Sequence, residues 1–233
     1  MNDAKELFIS IAAHKLLTPL TLIKWNLELL KKDNQMSEVS KDKLKDIELS
    51  VQKLDKFSNI LMKITQLKAD EANPSQRKLY KVEIEKIITQ VVKDLKAEQI
   101  CHINLADEDL KGVQEMCLDE NEFYYLVYSL IENSTLYTEN PPVVNVKAAR
   151  VQNGIEIEVE DNGIGVLAEE ISGLGDSFFR SSNSQKLSVK GFGLSLFTCR
   201  LMLQNAGGNF SAQSKGLSQG STFKVYIPNY VKQ

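Results

Sequence analysis

The chain has 233 residues, enough for one large domain or two small ones with real cores. Its composition, 42% hydrophobic and 25% charged, is that of an ordinary soluble protein, and a net charge of −3 gives no overall attraction to nucleic acid or to an anionic membrane. The three cysteines, Cys101, Cys117 and Cys199, are odd in number and widely spaced, which argues against a disulfide framework or a zinc site and for a reducing cytoplasm.

No apolar run nears the ~20 residues that span a bilayer, and the opening "MNDAKELF" carries early acids where a signal peptide is basic. Over residues 4–30 no glycine intervenes, and Leu7, Ile11, Leu16, Leu20, Ile23, Leu27 and Leu30 recur at helical spacing. One long helix is predicted, bent near His14 and Lys15 because Pro19 removes a donor and crowds the preceding turn. The polar segment "KKDNQMSEVSKD" reads as a connection. Leu44, Ile47, Val51, Leu54, Leu61 and Ile64 or Thr65 then follow a near-heptad spacing and predict a second long helix. The resulting hairpin is apolar on more than one stripe. Either a second copy covers it, making a dimeric four-helix bundle, or it packs on the rest of its own chain; the second copy is the more economical cover.

The segment "KADEANPSQRK" reads as a linker, with a boundary near residues 69–77, and beyond it the period changes. Helices are predicted over residues 82–96, 120–137 and 194–205. Strands are predicted at "ICHINLA", "GVQEMCL", "VVNVKAARV", "IEIEVED", "GNFSAQSK" and "STFKVYIP", with a hairpin turn at Gln152-Asn153-Gly154. Strands mixed with helices in this way argue for an α/β sandwich with helices on one face.

Two glycine turns carry the chemistry. "DNGIG", residues 161–165, follows a strand: its glycines let backbone come close to a flat or charged ligand, and the Asp161 carboxylate can accept a hydrogen bond. The same sequence can equally be only a turn. "KGFGLSL", residues 190–196, enters a helix from a glycine turn, where free N–H groups and the helix dipole favour an anion. The Ser- and Gly-rich stretch between them reads as a flap that contains Phe178, Phe179 and Arg180.

At these residues the chain resembles the sensor histidine kinases of two-component signalling. "FISIAAHKLLTPL" looks like their phosphoacceptor box, "SLIENSTLYT" like the asparagine box, "DNGIG" and "GFGLSL" like the two glycine boxes and "FFR" like the phenylalanine box, all in family order. The resemblance implies an α+β chain. Residues 1–70 would be a dimerisation and histidine-phosphotransfer domain, 71–77 a linker, and 78–233 a catalytic domain of the gyrase, histidine kinase and MutL type.

By the same resemblance, His14 takes the γ-phosphoryl group of ATP and Asn133 holds Mg²⁺, a hard ion suited to a carbonyl oxygen. Asp161 accepts from the adenine amino group, and Gly163 and Gly165 give the base room. Gly191, Gly193 and Leu194 close over the phosphates. Tyr137 and Phe192 belong to the nucleotide site as members of their boxes. Arg180 either neutralises transferring charge or is merely solvated, while Phe178 and Phe179 read as anchors of the flap. His102, in a strand between Cys101 and Ile103, reads as structural. The implied partners are a second copy of the chain and the receiver domain of a response regulator, with no nucleic acid. The implied place is the cytoplasm, as a fragment or a relative of a membrane-bound sensor.

The pattern breaks at four positions. Lys15 stands where an acid usually follows the histidine, and a donor-only ammonium cannot take the imidazole proton. Leu17 replaces an arginine, Ser129 an asparagine, and Leu136 a lysine that reaches for the phosphates. Thr18, four residues past His14, matches a threonine that positions water for aspartyl-phosphate hydrolysis, and it can also bond a carbonyl near the proline. Loss of a base with retention of that hydroxyl favours phosphatase output; Lys15 is alternatively a lineage-specific or engineered change that still permits slow phosphorylation.

Overall fold

The computed structural model describes residues 20–21, 23–28, 30, 37–72, 80–98, 101–105, 115–138, 141–185 and 191–229. The chain divides into two compact units, residues 1–69 and 70–233. His14, Lys15, Leu17, Thr18 and the bend expected at Pro19 lie outside the described residues.

In the first unit the described residues from 20 to 30 are helical, and helix α1 runs from Glu38 to Ala72. Helix α1 begins inside the predicted connection because Ser37 caps it: the Ser37 carbonyl accepts from Lys41 N at 3.0 Å and its hydroxyl from Ser40 N at 3.3 Å. It also continues into the predicted linker, whose "KADEA" contains no helix breaker. Leu20, Leu27, Leu44 and Val51 form a buried cluster between the helices, and Lys24 pairs with Asp55. Ile23 and Leu30, seven residues apart, remain 42% and 49% exposed, as do Ile47 and Leu54 at 49% and 45%. A second apolar stripe is therefore left on the hairpin, as its periodicity predicts.

The second unit is built from β1 (Tyr80–Glu83), α2 (Ile84–Glu98), β2 (His102–Leu105), β3 (Glu115–Leu118), α3 (Glu120–Leu136), β4 (Val143–Val151) and β5 (Gly154–Asp161). A 3₁₀ turn (Ala168–Gly173), α4 (Ser195–Asn205), β6 (Asn209–Ser214) and β7 (Ser221–Pro228) complete it. Among the described residues the main sheet has the order β2-β4-β5-β7-β6, parallel only between β2 and β4, and β1 pairs with β3. Strand β1 replaces the first residues of the helix expected from 82. Val82 is buried between exposed Lys81 and Glu83, a period of two too short to stand out beside a long helix.

Alternation fixes which face of the sheet is covered. Val144, Val146 and Ala148 of β4, Ile155, Ile157 and Val159 of β5, and Phe223, Val225 and Ile227 of β7 are all buried. Each such valine, isoleucine or phenylalanine contributes about 1.5–3 kcal/mol on burial. Helix α3 lies over β4 and β5 and packs against both α2 and α4. On the opposite face Glu158 sits between Lys147 and Lys224 in register, with Lys224 Nζ 2.6 Å from its carboxylate. That hydrogen bond from Lys224 is the main reason the Glu158 carboxyl is held below its ordinary range.

Candidate functional site

Three segments meet at one end of this unit: the C-terminus of α3, the glycine turn after β5, and the approach to α4. Asp119 starts α3 by accepting from Glu122 N at 2.9 Å. Because α3 is buried around most of its circumference, its polar residues Ser129, Glu132, Asn133, Ser134 and Thr135 are buried too. Asn133 is only 9% exposed, and its amide nitrogen has no hydrogen-bond partner. An unpartnered buried amide is costly unless something outside the chain completes it. Turned over about its last bond, the same group offers its oxygen instead.

Asp161 ends β5 beside this helix. One carboxylate oxygen accepts from Gly163 N at 2.8 Å and from Ser221 N, at the start of β7, at 3.0 Å. Burial pushes its carboxyl above the ordinary aspartate value, and the two backbone donors oppose that rise. Ser134 Oγ is buried without a hydrogen-bond partner, so the backbone donors, rather than this hydroxyl, hold the carboxylate.

The glycine turn is gripped from several sides. Ile164 N donates to Tyr137 O at 2.9 Å, Ser218 N to Ile164 O at 2.8 Å, and Gly220 N to Gly163 O at 3.0 Å. Ser214 Oγ accepts from Val166 N at 3.0 Å and donates to Gly220 O at 2.7 Å. A Cβ on Gly163 would lie 2.5 Å from Tyr137 O; one on Gly165, where φ is +64°, would lie 2.0 Å from Gly216 O. A Cβ at either position would thus meet one of the chain's own carbonyls, and glycine is needed there for close packing.

The second glycine turn meets the first through Tyr137, whose hydroxyl would be 2.9 Å from a Cβ on Gly191. Gly193 O accepts from Phe178 N at 2.9 Å. Leu194 is 2% exposed and its carbonyl accepts from Thr198 N, so its side chain belongs to the core. Phe192 is half-buried in the same turn.

The two flap phenylalanines differ. The Phe179 ring packs on Gly173, where a Cβ would come within 2.7 Å of it, and so anchors the flap as expected. Phe178 does not: it is 64% exposed, at a φ of +63° that is rare for a bulky side chain. Arg180 is turned into the flap and donates from Nη2 to Ser184 O at 2.8 Å. His102 is exposed at the end of β2.

The sequence alone missed Ser214, Ser221 and Asn183, the last of which donates to both Ile164 O and Gly165 O. Asn183 and Ser214 act on main-chain groups, and Ser221 acts through its own N–H on Asp161, all distant in sequence, so no local motif marks them. The structure brings Asn133, Tyr137, Asp161, Gly163, Gly165, Gly191 and Gly193 to one end of the second unit.

Comparison with known proteins agrees with this arrangement. Residues 4–70 match the His Kinase A (phospho-acceptor) domain, and residues 118–231 match the histidine kinase-, DNA gyrase B- and HSP90-like ATPase domain. Similar curated proteins include the signal transduction histidine-protein kinases ArlS of Staphylococcus haemolyticus, 25% identical over 94% of this chain, and of Staphylococcus aureus strain USA300, 26% identical over 94%. The chain spans about half the length of these relatives, 47% and 48%. Among solved structures, full-length ShkA in complex with AMPPNP has a TM-score of 0.67 at 18% identity, covering 96% of this chain and 46% of that one. The Acinetobacter baumannii histidine kinase AdeS has a TM-score of 0.59 at 16% identity, covering 94% and 98%. Among the described residues no helix is long and apolar enough to cross a membrane. With a phosphoacceptor-type helical domain followed by an ATPase-type domain of the matching fold, the chain belongs to the sensor histidine kinases.

Proposed function

We propose that the chain is the catalytic core of a sensor kinase that binds Mg-ATP, phosphorylates His14 and exchanges the phosphoryl group with an aspartate on a response-regulator receiver domain. Residues 1–70 would serve dimerisation and phosphotransfer, 71–77 the link between the parts, and 78–233 nucleotide binding. One observation supports the reading: a carboxylate held by two backbone N–H groups at the end of a strand, beside a helix whose buried asparagine has an unpartnered amide nitrogen. The Asp161 oxygen still open to a ligand suits an exocyclic amino group, which favours adenine over guanine. Asn133, with its oxygen turned outward, suits Mg²⁺. ATP, as substrate, supplies the phosphoryl group: the imidazole–phosphorus bond forms as the bond to ADP breaks, and the imidazole sheds a proton.

Ser129 and Lys15 favour a slow kinase. Ser129 is 3% exposed and lies in the buried neighbourhood of Tyr125 and Cys199, which leaves it little surface to offer a nucleotide. Leu136 supplies no cation, and Lys15 no proton acceptor. This supports the alternative of a chain whose output leans towards the phosphatase reaction, with the threonine at 18 retained in the sequence.

Incubation with radiolabelled ATP and Mg²⁺ tests the reading. Acid-labile label should appear on the chain, vanish in His14→Ala, and form faster in Lys15→Glu by about 10²-fold, the scale of a restored general base. Nucleotide binding with no label in any variant would leave an adaptor that docks a regulator.

A further inference from the structure

We propose that Asn183 is a positioning residue that ties the turn at residues 181–185 to the glycine turn beside Asp161, and so sets the affinity of that carboxylate for nucleotide. The inference rests on the nucleotide-binding reading above. Asn183 Nδ2 donates to Ile164 O at 3.1 Å and also to Gly165 O, while its Oδ1 accepts from Ser184 N at 3.0 Å. The orientation of the amide is settled by these partners, because only its nitrogen end can face two carbonyls.

The turn that carries Asn183 is stiff. Ser184 Oγ donates to Ser181 O at 2.7 Å, Arg180 Nη2 to Ser184 O at 2.8 Å, Gln185 Nε2 to Arg180 O at 3.1 Å, and Ser182 N to Glu170 Oε1 at 2.8 Å. A stiff turn fixed to carbonyls 164 and 165 holds the 164–165 and 165–166 peptide planes, which begin one residue past Gly163, whose N–H is one of the two donors on Asp161. Release of the tie lets that N–H leave the carboxylate and changes what Asp161 can offer a base.

The test compares the full chain with Asn183→Ala and Asn183→Asp by hydrogen exchange without nucleotide, and by calorimetry with AMPPNP and Mg²⁺. Amides of residues 163–166 should exchange about tenfold faster in both variants, and affinity should fall about five- to tenfold, the worth of a neutral hydrogen bond. In Asn183→Asp a carboxylate faces two carbonyls and must take a proton to bond even one of them, so affinity should recover in part between about pH 8 and about pH 6, while Asn183→Ala should show no such recovery relative to the unsubstituted chain. Unchanged exchange in a folded Ala variant, faster exchange with unchanged affinity, or identical pH profiles for the two variants would overturn the proposal. An unsubstituted chain that binds no AMPPNP would instead overturn the nucleotide reading and the affinity claim with it, while the exchange difference would still support the tie. If the Ala variant fails to fold, the Asp variant compared with the unsubstituted chain at about pH 8 and at about pH 6 carries the test, a larger loss of binding at the higher pH being the expected result.

Discussion

The burial of Asp161 comes at the expense of stability at neutral pH. Burial raises its carboxyl above the aspartate value, so folding favours the protonated form. That contribution is fully present below the unfolded value and is lost as pH rises through the folded one. At neutral pH the carboxylate therefore weakens the fold. Asp161→Asn keeps an oxygen for Gly163 N and Ser221 N but removes the charge. We expect it to raise the melting temperature at pH 7.5 by about 2–4 °C, the shift that ~1 kcal/mol gives in a domain of this size, with the gain shrinking as the pH is lowered. ATP affinity should fall about ten- to a hundredfold by calorimetry, as for a lost bond to a charged acceptor. Gly165→Ala combines a positive φ with a Cβ 2.0 Å from Gly216 O, and denaturant unfolding should show a loss of about 2–4 kcal/mol. Asp161 and its glycines were legible in the sequence because they are contiguous. Asn183 and Ser221 were not, since Asn183 holds backbone carbonyls and Ser221 offers a backbone N–H, and main-chain groups have no sequence signature.

At the scale of elements, the strongly periodic segments were legible and the short or capped ones were not. Helix α3 matches its prediction to within one residue, because the Asp119 cap marks its start. Strand β1 is hidden by its brevity, and the early start of α1 is decided by a single serine in a polar stretch. The second stripe on the hairpin has a consequence for assembly. Ile47→Asp with Leu54→Asp should convert a dimer to monomers in sedimentation velocity, since two buried charges outweigh the apolar gain. Trp25, 64% exposed, lies off that stripe. On the helix expected over residues 4–30 it sits eleven residues, about three turns, beyond His14 and on the same face. Trp25→Ala should leave the dimer intact and weaken receiver binding by about tenfold or more, as loss of an exposed aromatic anchor does.

For the molecule as a whole, the division at residues 69 and 70 predicts two separable unfolding events. In scanning calorimetry, saturating ATP and Mg²⁺ should raise only the transition of the second unit, by about 2.7 kcal/mol at a hundred times the dissociation constant. The transition of the hairpin should respond to protein concentration instead. The main-chain oxygen of Tyr137, which receives Ile164 N and crowds Gly163, belongs to every variant at that position. Side-chain scanning would accordingly score Tyr137 for its ring alone and pass over the carbonyl. Only an amide-to-ester replacement at residue 164, which deletes the N–H and keeps every side chain, would reveal how much of the glycine turn hangs from that oxygen.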